Sequence, residues 1–246
     1  MKNRSKSFTL LTILSLSFAT IGNALEVPDH DEGWHSNRPM LLMQERAEEQ
    51  VEAKKNALKM LDTILSPFED MIEYSLQEDQ NKMQDSLQNI YQLEKSTTLK
   101  ESINGNTYQK LQKEIQQLNH FVATHNYTKS ALLSTSIFKL LINNFLYKDY
   151  IEEQIHIEQL DAMGFAILTQ LKLQEIPYAD IANNINNAQE HWLKIKSEID
   201  NENLTNAFDL MLDGLYVSAR NKDKPILKIL AAMDLALVDL VEKEFR

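Results

Sequence analysis

Residues 150–168, YIEEQIHIEQLDAMGFAIL, decide how this chain folds. At about 100° per residue, His156, Leu160, Met163 and Ile167 fall on one stripe of a helix. From Met163 to Leu173 apolar residues occur almost all round the helix, the pattern of one enclosed by others. Gly164, with no Cβ, lets a neighbouring helix approach closely. A helix surrounded in this way implies a bundle. The same stretch carries Glu153 and His156 in a Glu-x-x-His spacing. In helical bundles that spacing supplies metal ligands from one face.

Working outward, the composition is helical. The 246 residues include only five Gly and five Pro, and Leu, Ile, Gln, Glu, Lys, Asn and Ala predominate. Apolar residues recur at three and four positions, and no sustained period-two alternation predicts a sheet. The first helix is expected from Pro39, with Met40, Met43, Ala47, Val51, Leu58, Leu61 and Leu65 on one side, ending at Ser66. There Ser66, Pro67 and Glu69 read as a cap, a first-turn proline and a capping box opening a second helix that runs to Lys95. Asn104–Gly105 reads as a turn, after a short helical turn near Thr98. The third helix covers 107–123, and Thr128 is the expected cap of the next. Residues 129–174 form one helix or two, with the weak point at Asn143–Asn144 or at 147–150. Pro177 stops that segment, because a residue before proline leaves the α region. Three more helices are expected at 177–200, 203–221 and 224–245, with Asn203 and Asp223 as caps. The fold class is therefore all-α, about eight mostly antiparallel helices in a bundle, with two sub-bundles as the variant. A subdivision would fall near 97–107 or 124–128. The second half is the more apolar and is expected to hold the main core.

The N-terminal region indicates export. Lys2, Arg4 and Lys6 precede an apolar run from Phe8 to Ile21, and Gly22-Asn-Ala24 suits cleavage after Ala24. The run is too short and Ser-rich for a membrane span, which needs about 20 apolar residues; an uncleaved anchor is the competing account. The expectation is a signal peptide at 1–24, an extended acidic segment at 25–38, the helical domain at 39–246, and a periplasmic location. No later segment is expected to span a membrane. The chain has no Cys, which excludes disulfides, thiolate metal sites and Cys nucleophiles. Residues 1–24 carry three basic side chains and no acid, so the remainder has 22 basic against 36 acidic residues. Such a charge repels nucleic acid and anionic lipid, and suits a cationic or metal ligand, a basic protein partner or solubility alone. A homodimer is a further option.

Two metal candidates follow. Glu153 with His156, helped by Glu152, is half of a bundle metal site, but no matching unit stands at His120, His125 or His191, where Gln117, Val122 and Ala188 occupy the position three residues before. His30 and His35, in PDHDEGWHSNR, are imidazoles among carboxylates, which suits zinc or iron, or copper if Met40 and Met43 join. Those two methionines also fit the first helix's apolar stripe. Among acids in apolar surroundings, Asp234 projects between Leu230, Val238 and Val241, so it needs a partner or a proton; Tyr216, Arg220 or a Lys could pair with it. Asp161 sits between the stripes of its own helix. Asp239 is expected in solvent near Lys243. Asp209, Asp213, Tyr216 and Arg220 read as an ordinary charged face, and His191 and His120 as polar-side residues. Trp192 continues a core stripe with Tyr178, Ile181, Ile185, Ala188, Ile195 and Ile199.

There is no Gly-rich phosphate loop, Gly-x-Ser-x-Gly, His-Glu-x-x-His or Cys-x-x-Cys-His, so nothing in the sequence points to catalysis. The expected function is an exported, acidic binding module. It would take a ligand or a protein partner in a groove between helices of the second half, with Glu152, Glu153, His156, Asp161 and Asp234 as candidate ligand-binding residues. The alternative is periplasmic handling of a transition metal (Cu, Fe or Zn) by Glu153 and His156, or by His30 and His35.

Overall fold

A computed structural model describes residues 38–245, with side chains from Arg46 onward. The expected signal peptide at 1–24, the expected extended segment as far as residue 37, and the pair His30 and His35 lie outside the described residues. Within the described residues the compact body begins at Gln44. Among the described residues there are nine α-helices and no strands, an all-α bundle: α1 (Arg38–Gln77), α2 (Gln80–Lys95), α3 (Thr97–Ser102), α4 (Gly105–Ala123), α5 (Tyr127–Asn143), α6 (Glu152–Gln170), α7 (Tyr178–Ile195), α8 (Glu202–Arg220) and α9 (Lys224–Phe245). No described helix is long and apolar enough to cross a membrane.

The largest departure from the sequence expectation is α1, which passes through Pro67 without ending. A proline inside a helix costs about 3 kcal/mol. Leu61, Ile64, Leu65, Phe68, Met71 and Ile72 form one uninterrupted buried stripe across it. Fully burying a side chain of this size contributes about 1.5–3 kcal/mol, so three residues beyond the proline outweigh its cost. Ser86 adds a hydrogen bond from its hydroxyl to the Pro67 carbonyl at 2.7 Å. The helix ends instead at Glu78, in the left-handed region (φ 60°), and Asp79 caps α2 by accepting from the Lys82 amide.

The other joints follow local chemistry, shifted by a residue or two from expectation. Ser96 caps α3, Asn104 caps α4, Asn126 rather than Thr128 caps α5, and Asn201 rather than Asn203 caps α8. Each accepts a backbone N–H three residues on, satisfying one of the donors a helix start leaves open. Asp223 accepts from the Ile226 amide at the start of α9. The 129–174 segment divides between Asn143 and Glu152, where one short 3₁₀ turn (Lys148–Tyr150) intervenes. The Leu146 amide bonds Ser102 there, and Ile103 bridges Phe145, tying this joint to the end of α3.

The core is not concentrated in the second half. Its buried side chains form two clusters. One joins α1 to α5 with Ala162 and Phe165 of α6; the other joins α7, α8 and α9 with Ile157, Leu160, Met163 and Ile167 of α6. From Met163 onward helix α6 is apolar almost all round because it lies between them.

Candidate functional site: a carboxylate seam between three helices

Two groups of polar residues are built around α6. Gly164 is the anchor of the first. A Cβ there would lie 2.5 Å from Asp234 Oδ2 and 2.7 Å from Leu235 Cδ2, so α9 crosses α6 in direct contact at this glycine. From the crossing, Asp161, Glu158 and Gln154 run back along α6 at spacings of three and four, while Asp239 and Glu242, three apart, lie further along α9. Residues at such spacings share one face of a helix, and two antiparallel faces of this kind form a seam. Asp62 from α1 closes it. Asp62, Glu158 and Glu242 each bring a carboxylate oxygen within 4.8 Å of the other two. The buried Gln154 amide donates to Glu158 Oε1 at 2.8 Å and to Glu242 Oε1 at 3.0 Å, holding the two together.

Burial and like charge dominate the seam's electrostatics. Glu158 is buried, and its pKa is pushed up to about 8, first by loss of solvent and then by Glu242, Glu69 and Asp62; the Gln154 bond opposes this. Asp161 is raised well above the usual carboxylate range by burial, Glu158, Glu69, Asp234 and Asp239. Asp234 has no solvent exposure, and burial raises it strongly, with only the Gly164 backbone in opposition. Neither of its oxygens has a partner of good hydrogen-bond geometry. The partners suggested by sequence are elsewhere: Arg220 lies over the ring of Tyr216. Asp239, expected in solvent, is half-buried and acts on Asp161.

The second group lies where α6 meets α7. His156 Nδ1 and His191 Nδ1 are 2.9 Å apart, one donating to the other. His191 thus faces the interior rather than the polar side. Glu152 Oε1 approaches His156 Nε2 to 3.8 Å, too long for a hydrogen bond, and that nitrogen is buried without one. Burial lowers the pKa of both imidazoles; Lys194 lowers His156 further, while Glu152 and Glu153 oppose, and for His191 His156 adds to the fall while Glu190 opposes. Glu153 turns to Lys54 of α1 at 3.8 Å.

Of the residues singled out from sequence, Asp161 and Asp234 share the seam, Glu152 and His156 share the imidazole pair, and Glu153 joins neither. Sequence reasoning missed Asp62, Glu69, Glu158, Glu242 and Gln154. The spacing of Gln154, Glu158 and Asp161 was the available signal, since it repeats at four and three on a helix otherwise apolar on that side. Asp209, read as part of a charged face, accepts from Trp192 Nε1 at 2.7 Å and pairs with Lys196. Trp192 stacks on Phe208 with ring centroids 4.2 Å apart.

Away from both groups, a groove of about 400 Å³ runs between α5, α6 and α7, lined by Thr135, Lys139, Gln170, Asp180 and Asn184 among others. Lys139 Nζ donates to Asn184 Oδ1 at 3.2 Å, and burial lowers the pKa of its ammonium. Comparison with protein-family models, with curated proteins and with solved structures found no match. Fold and site together define an all-α bundle with a partly buried carboxylate seam.

Proposed function

We propose that this chain is an exported periplasmic protein that works by binding, as a protein-interaction module using the outer face of the α8–α9 hairpin. The observation that carries this reading is an apolar surface there. Gly214 lets Leu230 lie close against α8, where a Cβ would be 2.9 Å from Leu230 Cδ1. Around that contact Leu210 is 72% exposed, Val217 55%, Ile226 42% and Met233 46%. Ile229 and Leu240 extend the surface along α9 and are also exposed. Large apolar side chains grouped on one face, rather than scattered singly, mark an interaction surface. The chain's net charge of −11 favours a basic or neutral partner over a second copy of itself.

A photo-crosslinking residue at Ile229, introduced in the native cell, tests this. A heterologous adduct, lost on Leu210→Ser with Met233→Ser while the helical circular dichroism is retained, supports the reading. No adduct, an adduct indifferent to the double substitution, or an adduct with a second copy overturns it.

A second reading, a small ligand held in the α5–α6–α7 groove, is favoured by Lys139. A half-buried ammonium held by a neutral amide suits an uncharged or anionic guest. Thermal-shift screening of small carboxylates and phosphates against wild type and Lys139→Met tests it. A stabilisation present in the first and absent in the second supports a groove ligand; no stabilisation by any of them removes it.

A further inference from the structure

We infer that the groove between α5, α6 and α7 is a binding site for a small zwitterion of the amino-acid class, with Lys139 holding its carboxylate and Asp180 its ammonium. The inference rests on the groove being a ligand site and narrows what it holds.

Three helices each contribute a polar side chain to one hydrogen-bonded chain in the groove wall. Lys139 of α5 donates to Asn184 Oδ1 of α7 at 3.2 Å, and Asn184 Nδ2 donates to Gln170 Oε1, at the end of α6, at 3.5 Å. The Asn184 amide is thereby oriented, its oxygen toward the ammonium and its nitrogen toward the glutamine. Residues set on helices hold their positions more accurately than residues on loops. Among the described residues no carboxylate lies beside Lys139: burial alone shifts the pKa of its ammonium, downward, and its hydrogen-bond partner is a neutral amide. An ammonium has three N–H donors, so a guest can take up others. A half-buried charge without a counterion is costly, and a carboxylate in the groove offsets that cost.

Asp180 lines the same groove and is exposed there. It stands four residues before Asn184 on α7, so the two share a face, one turn or about 5.4 Å apart. Because Lys139 reaches Asn184, its ammonium and the Asp180 carboxylate are offset by that turn, and the acid leaves the lysine's pKa unmoved. Opposite charges placed in this way select a ligand with opposite charges at its two ends. A simple anion would face Asp180, and a simple cation would face Lys139. An α-amino acid carries its ammonium and carboxylate on one carbon, and it spans the offset with a hydrogen bond at each end. Leu132 and Ala166 give the groove an apolar part for the ligand's side chain, and its volume of about 400 Å³ is at the small end of ligand sites. The chain's net charge of −11 acts in the same sense. It opposes the approach of a free anion and acts little on a molecule that is neutral overall.

Calorimetric titration of the full chain with the common L-amino acids provides the test, followed by the N-acetyl and methyl-ester forms of any that binds. At least one amino acid should bind at one equivalent and raise the melting temperature, since a ligand specific to the native state stabilises it. The N-acetyl form lacks the ammonium and the ester lacks the carboxylate. Each should bind about tenfold or more weakly than the parent, as for loss of a hydrogen bond between charged groups. Asp180→Asn should abolish the preference for the parent over its N-acetyl form, and Lys139→Met the preference over the ester. Lys228→Met, on the exposed side of α9, should leave every affinity unchanged. Asp180 is exposed, so its variant keeps the fold, and retained helical circular dichroism qualifies the Lys139 variant. Amino-acid binding indifferent to both Asp180→Asn and Lys139→Met would overturn the inference. Binding of a plain carboxylate or an N-acetyl form as tight as that of the amino acid, lost in Lys139→Met, would overturn the zwitterion and keep the groove as an anion site. No binding of amino acids, carboxylates or phosphates at millimolar concentration removes both the zwitterion and the groove reading.

Discussion

Two glycines illustrate how differently one residue type serves this chain. At Gly164 an added methyl would meet Asp234 and Leu235 at 2.5 and 2.7 Å, deep in the α6–α9 crossing. Overpacking of this kind costs about 1–3 kcal/mol, so Gly164→Ala should lower the urea midpoint markedly. At Gly105, in the first turn of α4, an added Cβ meets nothing within 4 Å and the backbone is not left-handed. Gly105→Ala should therefore stabilise by about 0.4–1 kcal/mol through the unfolded chain. Equal effects at the two sites would show that the crossing is looser than its geometry implies. The imidazole pair gives a pH effect with a definite sign. Both pKa values are lowered on folding. Above pH about 6.5 both states are neutral and the pair has no pH dependence. As pH falls below that, the unfolded chain takes up protons first and stability is lost. The seam carboxyls, raised on folding, act in the opposite direction, so the useful quantity is a difference between proteins. His156→Gln with His191→Gln should lose less stability between pH 7.5 and 5 than wild type does, measured by denaturant titration at each pH. An identical loss would mean that the imidazoles titrate normally. The pair itself was only half legible in sequence: His156 falls on an apolar stripe, whereas His191 projects to the polar side of α7 when that helix is considered alone.

Among the elements, three of the joints turn on residues other than glycine in the left-handed region: Glu78, His125 and Lys222. A side chain there costs about 1–2 kcal/mol. Lys222→Gly, between α8 and α9, should raise the melting temperature by roughly 2–4 °C, the shift expected for about 1 kcal/mol in a chain of this size. Unchanged or lower melting would indicate that the lysine side chain contributes more there than the strain costs. The joints also show where element boundaries were readable. Asp223 caps and Pro225 opens a helix, as their chemistry predicts. At Ser66-Pro67 the same chemistry misleads, because a run of buried apolar residues at spacings of three and four crosses the proline and outweighs it. Glu78-Asp79, the real break, carries neither glycine nor proline and gives little local warning. Sequence therefore specifies helix content well, and specifies a boundary only where no longer-range burial competes.

For the whole molecule, the all-α class was evident from composition and periodicity, and the central position of α6 from the almost wholly apolar stretch that begins at Met163. The carboxylate seam was not, because its members are separated by almost a hundred residues in places and no single helix reveals them. Projecting α6 places Asp161 between two apolar stripes, but only the approach of α1 and α9 shows that this gap is filled with acids. Substituting Glu158 should consequently be felt across three helices at once, whereas changes at Leu210 or Met233 should alter surface behaviour and leave melting within about 0.5 kcal/mol of wild type, as is usual for surface sites. The placement of α6 between two apolar clusters has a further consequence for how the molecule opens. Its amides cannot meet solvent by the departure of either cluster alone, because the other still covers part of the helix. Deuterium should enter α6 last, at the rate of complete unfolding, and the halves before and after it should come apart in a single step rather than in succession.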